Sequence, residues 1–143
     1  MTASIRRQIG NHLVTLAETL AGVQVFRNLD RALDSKCFPV IAITSADDTS
    51  EPAINRRADS QADFEIHILV QDPEDPELVA DALEVSLHAL LFDDPRLGGL
   101  ANGETPLRRV GGTWDFELGR TVDRTVIYRA GFRTQLTHLE QSA

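Results

Sequence analysis

Near the start of the chain, Ile5, Ile9, Leu13, Leu16 and Leu20 recur at spacings of four, four, three and four. That spacing places them on one face and predicts a helix over residues 4–21, with Ser4 as N-cap and Gly22 as stop. Alternation at Val23, Val25 and Gln24 then predicts a short strand over 23–26. A polar stretch, 27–36, precedes Phe38-Pro39-Val40-Ile41-Ala42-Ile43, which is apolar on both faces and reads as a central strand. Residues 46–61 are polar and contain Asp47-Asp48, Pro52 and Arg56-Arg57, so they read as a long loop. From Ala62 to Val70 the alternation returns: Phe64, Ile66, Ile68 and Val70 point one way, Glu65 and His67 the other.

A second helix is expected over 76–91, with Asp75 as N-cap and Pro76 in its first position. Val79, Leu83, Leu87 and Leu90 make its inward stripe, supported by Ala82, and Glu77, Asp81, Glu84 and His88 fall on another face. Asp94-Pro95-Arg96-Leu97-Gly98-Gly99-Leu100 stops it, and 98–112 looks like a glycine-rich loop. Two alternating strands follow, 114–118 and 122–134. The second runs to about 40 Å at roughly 3.3 Å per residue, longer than a small sheet needs. It therefore bends near Gly131 or runs on beyond the domain to pair elsewhere. Residues 136–143 read as a frayed tail. The order predicts one α+β domain over 1–143: a mixed or antiparallel sheet of four to five strands with two main helices packed on it.

Composition adds little until charge is mapped. The chain is 42% hydrophobic and 25% charged, an ordinary globular balance, and at 6% aromatic its core should be aliphatic. The net charge is −8, which argues against a surface built for nucleic acid. Eight acids and no base lie between Asp72 and Pro95; the other 14 acids (22 less eight) match the 14 bases elsewhere. The whole excess thus sits on the second helix and its flanks. The single cysteine, Cys37, leads into an apolar strand and reads as a structural thiol, and the lack of a disulfide framework fits a reducing compartment. No signal peptide or membrane span is expected.

The search for chemistry returns little. Neither a nucleophile elbow nor a phosphate-binding glycine loop is present. Glu65 with His67, and Glu84 with His88, could each give two metal ligands, but neither pair shows a third, so neither metal nor cofactor is expected. Paired glycines read as turns. Trp114 is a core residue or an interface anchor. The positive features are a terminal strand that is too long, a long polar loop, and charge split between an acidic helix and basic loops. These suit head-to-tail contact between identical subunits. Charge singles out Arg56, Arg57, Glu77, Asp81, Glu84, Arg108, Arg109, Arg129 and Arg133 as subunit-interface candidates.

Across nearly the whole chain the order of segments resembles the tail terminator (minor tail protein U-like) and tail completion proteins of long-tailed bacteriophages and prophages. The residues that carry the likeness are Phe38 to Ile43, the strand from Phe64 to Val70, the stop from Asp94 to Ala101, Trp114-Asp115-Phe116-Glu117, and Tyr128 to Thr134. The resemblance implies a non-enzymatic α+β subunit that forms a ring, typically a hexamer. Such a ring caps the tail tube at its head-proximal end, stops polymerisation of the major tail tube protein and presents the surface that joins the head through a connector or completion protein. It also implies assembly in the host cytoplasm, residence in the virion, and DNA passing through the ring without specific binding. The alternatives are a head–tail joining or tail-completion subunit of the same particle, or a small ligand-binding domain using Glu65/His67 or Glu84/His88.

Overall fold

The computed structural model describes residues 2–28, 38–117 and 121–143. The expectations for Cys37, for the polar stretch up to Lys36 and for Leu118 fall outside them.

Helix α1 spans Ile5–Ala17. The Ser4 hydroxyl accepts from the Arg7 amide at 3.2 Å, as an N-cap should. Ile5, Ile9, Leu13 and Ala17 are buried, while Leu16 and Leu20 pack at the margin of the core. The helix ends one turn earlier than the apolar spacing suggests. Mid-helix Gly10 is a packing requirement: a Cβ there would stand 2.8 Å from the Arg27 guanidinium and 3.1 Å from the Phe64 ring.

Six strands are present among the described residues, one or two more than expected: β1 (Gln24–Arg27), β2 (Val40–Pro52), β3 (Arg57–Gln71), β4 (Leu107–Glu117), β5 (Thr121–Gln135) and β6 (His138–Ser142). Their order is β1-β2-β3-β5-β4, with β6 also on β5. β1 and β2 are parallel and the other pairings are antiparallel, so the sheet is mixed and the α+β class holds.

Residues 46–61 are not a loop. They are the outer half of a β2–β3 hairpin, paired from Asp48↔Ala62 to Pro52↔Ala58 and closed by a turn at Ala53–Arg56. Their hydropathy conceals this because the buried positions of β3 here are Ala58, Ser60 and Ala62, too small to make an apolar alternation. The outer half of β2 is exposed throughout. Residues 107–112, expected as loop, belong to β4, where a bulge at Val110 breaks the alternation.

β5 does not run on alone, and the tail is not frayed. One edge of β5 pairs with β3 along its full length, from Gln71↔Thr121 to Arg57↔Gln135. Its other edge is filled piecewise by this same chain. β4 covers it up to Ala130. At Gly131 the backbone bonds to Gly103 (3.0 Å) and Pro106 (2.7 Å). The Asn102 carboxamide accepts from the Arg133 amide at 2.7 Å, and β6 pairs with Thr134 and Gln135. A Cβ on Gly103 would come within 2.6 Å of the Gly131 carbonyl carbon, so this crossing requires glycine.

Helix α2 spans Pro76–Asp93. Asp75 accepts from the Leu78 amide (3.1 Å), and Asp72 accepts from the Glu74 and Asp75 amides (3.0 and 2.8 Å). Those amide bonds hold the Asp72 carboxyl below its usual pKa. After the helix, Asp94 accepts from Gly98, and Leu97 takes a positive φ of 51° with its side chain fully buried. The stop sequence therefore also supplies core, through Leu97 and Ala101.

Both helices lie on one face of the sheet, α1 over β1 and β2, α2 over β3 and β5. The core between is aliphatic except for Phe64, Tyr128 and Phe132. The 18 residues of α2 reach roughly 27 Å at 1.5 Å per residue. The 15 residues of β3 reach roughly 50 Å, so the β2–β3 turn stands well beyond the helix. No helix among the described residues is long and apolar enough to cross a membrane.

Candidate assembly surfaces

The inward stripe of α2 differs from the expected one. Ala80, Leu87 and Leu91 are buried, Val79, Leu83 and Leu90 are half-buried, and Ala82 is exposed. The shift has a cause: α2 has a second apolar stripe. Leu78, Ala82, Val85 and Ala89 fall at i, i+4, i+7 and i+11, diametrically opposite the buried face. All four are exposed, Leu78 and Val85 each at 63%. Asp81 borders this stripe and Glu77 lies further round, on the side of the helix shared with Glu84; both are exposed and without an ion-pair partner among the described residues. A helix apolar on both sides in a single-layer cover is a helix lacking a neighbour.

Glu84 sits one turn on and is not part of that free surface. Its carboxylate accepts from Arg124 Nε (3.1 Å) and Nη2 (3.2 Å) and from Arg109 Nη2 (2.9 Å). Burial pushes its pKa up, but the hydrogen bonds and charges of Arg124 and Arg109 outweigh this and hold it below the usual value. Arg124, only 7% exposed, lies 4.5 Å over the Trp114 ring, which stacks on Phe116 with centroids 5.7 Å apart. Val85 and Ala89 of α2 face Arg109 and Arg124 across a groove of about 520 Å³. The arrangement anchors α2 to the sheet through a partly buried Glu–Arg–Trp stack. Arg124 is absent from the candidates drawn from charge; it shares the β5 face of Val126 and Tyr128, and that alternation is the signal that could have found it.

The Glu84/His88 ligand pair is separated by the same geometry. His88 Nδ1 lies 2.9 Å from the Tyr128 hydroxyl and its ring stacks on Phe92. Burial raises the Tyr128 phenol to about 12, so it stays protonated.

The other face of the sheet, opposite the helices, buries Val40 and Ala42 in β2 and carries mainly polar side chains along β3 and β5. Here His67 lies 3.3 Å from Glu65 and 3.4 Å from Asp123, with the Thr125 hydroxyl 3.1 Å from its ring and 3.2 Å from Asp123. The hydrogen bond to Asp123, aided by the charges of Asp123 and Glu65, raises the imidazole pKa against the opposing effect of burial. Among the described residues no group of three or more His, Cys, Asp or Glu side chains is placed to hold a metal ion. Close by, Arg129 grips Asp63 with two bonds, 2.7 and 3.0 Å.

The interface candidates drawn from charge thus divide. Glu84, Arg109, Arg129, Arg133 and Arg57 are engaged within the subunit, the last two with Asp59 at 3.5 and 3.3 Å. Arg56, Arg108, Glu77 and Asp81 are exposed and unpaired among the described residues. Charge alone does not separate the two groups; the exposed apolar residues it passes over are the second stripe of α2 and Ile54, which is 73% exposed at the β2–β3 turn beside Arg56. Both were readable as apolar residues falling where the core pattern had no place for them.

No known protein-family profile matches this chain, and no curated protein matches it. Among solved structures it is similar to a chain described as "Virion of native gene transfer agent (GTA) particle", at 11% identity and a TM-score of 0.44, over 90% of this chain and 93% of that one.

Proposed function

We propose that this chain is a ring-forming structural subunit of a phage-like virion, a tail terminator that caps the tail tube and offers the head-joining surface. The observation that carries the reading is the second apolar stripe of α2, on the helix that together with its flanks holds the chain's charge excess. A surface of that kind suits permanent association: burying a Leu or Val side chain is worth about 1.5–3 kcal/mol each. The order of segments that resembles the tail terminators supports the same role. The partners proposed are further copies of itself, the major tail tube protein on one side and a head–tail connector or completion protein on the other, with DNA passing through the ring.

The test is addition of the purified protein to polymerising tube protein. Tubes that stop growing, with a ring at one end in electron micrographs, are expected. Unchanged tube length, with binding to isolated heads instead, would favour a head–tail joining subunit.

A further inference from the structure

The described surface holds three candidates for a further role: the polar cluster around His67, the groove beside Arg124, and the pairing of the β2–β3 turn with the outward stripe of α2. The third is carried furthest. The turn and the stripe are both unsatisfied surfaces, the first tipped by an arginine exposed and unpaired among the described residues and the second bordered by exposed carboxylates.

The turn is a presented feature. The Ala53 amide bonds to the Arg57 carbonyl (2.7 Å), and the Arg56 carbonyl accepts from the Leu136 amide (2.7 Å). Asn55 and Arg56 both hold positive φ, 60° and 55°. This bracing sets Ile54 outward at the end of the sheet with the exposed Arg56 next to it. The stripe offers the complement: Leu78 and Val85 as an apolar strip, with Asp81 on its border and Glu77 further round as an acidic rim.

One subunit cannot bring the two together. The turn closes one end of β3, and the connection from Gln71 to Pro76 leaves from the other. The start of α2 stands roughly 50 Å from the turn along the strand, and the 18 residues of the helix return only about 27 Å of that, with the stripe facing away from the sheet. Contact must be with another copy, and because it joins unlike surfaces it is head-to-tail, the kind that closes into rings.

Resting on the ring reading above, we infer that the Ile54–Arg56 turn of one copy docks on the outward stripe of α2 of the next. Ile54 lies against Leu78 and Val85, and Arg56 faces Glu77 and Asp81. The apolar centre supplies the affinity and the charged rim the orientation and encounter rate.

The experiment compares wild type with Ile54→Asp and Val85→Asp by sedimentation, alone and mixed in equal amounts. Circular dichroism and the dilute-solution Tm serve as fold controls. Wild type is expected to assemble. Each variant alone should weaken self-association by about tenfold or more. The mixture should regain one good contact per pair and stop at two subunits. Should either aspartate variant fail to fold, the surface charge reversals Arg56→Glu and Asp81→Arg replace them: each should weaken assembly alone, and the double variant should recover it. Variants that assemble like wild type overturn this contact and leave the ring reading standing. Loss of tube-protein binding by Val85→Asp with self-association intact overturns it too, assigning the stripe to the tube. A wild type that stays monomeric at high concentration and with tube protein overturns both.

Discussion

Helices α1 and α2 lie on the same face of the same sheet yet are built on different plans. In α1 the buried residues Ile5, Ile9 and Leu13 oppose exposed Arg7, Asn11 and Thr15. Its sequence is fully accounted for by one core and by water. In α2 the buried residues Ala80, Leu87 and Leu91 oppose exposed Leu78, Ala82, Val85 and Ala89. Four of its eleven apolar residues stay exposed in the fold. The difference teaches that α1 is a folding element only, whereas α2 folds the domain and also leaves an apolar face in solvent, the face proposed above as a contact.

The comparison breaks most visibly in stability measurements on dilute protein. Leu13→Ala and Leu87→Ala should each lower the unfolding free energy in urea by about 2–5 kcal/mol, since both side chains are buried. Arg7→Ser on α1 and Val85→Ser on α2 should each stay within about 0.5 kcal/mol. In concentrated protein only Val85→Ser should fall behind, because assembly stabilises the folded subunit by mass action.

Next in size is Glu84→Ala. It leaves Arg124 largely buried without its carboxylate and should cost about 2–3 kcal/mol at neutral pH. The carboxyl pKa is lowered in the fold, so its contribution is present above the unfolded value and lost as pH falls through the folded one. The gap between wild type and variant should therefore close in acid, which urea titrations below pH 4 would check.

How much of this was legible depends on side-chain size. Large alternating or helical apolar residues announced α1, α2, the inner halves of β2 and β3, and β5. Ala58, Ser60 and Ala62 announced nothing, so a strand passed as loop. The last strand looked too long because only its own pattern could be read. The closing of its edge by Asn102, by the backbone around Gly103 and Pro106, and by β6 is a long-range matter that no local window contains. Among the charged residues, Arg129 and Glu84 resembled a free surface in sequence and are internal clamps in space.

An effect smaller than those of the core truncations and of Glu84→Ala is expected on the polar face. His67 has a raised pKa beside Asp123 and Glu65, so its contribution is full below the unfolded pKa near 6.5 and is lost as pH rises through the folded value. Wild type should lose up to about 1 kcal/mol between pH 6 and pH 8, in line with a partly exposed ion pair, and His67→Gln should flatten that slope.

The central claim is that the outward stripe of α2 is a contact surface between copies. The most direct measurement is the mass of the assembled protein across concentration, for wild type and for the double variant Leu78→Asp/Val85→Asp. The account predicts a wild-type species larger than a dimer and a double variant that remains monomeric with an unchanged circular dichroism spectrum. The same mass distribution for both proteins would contradict it.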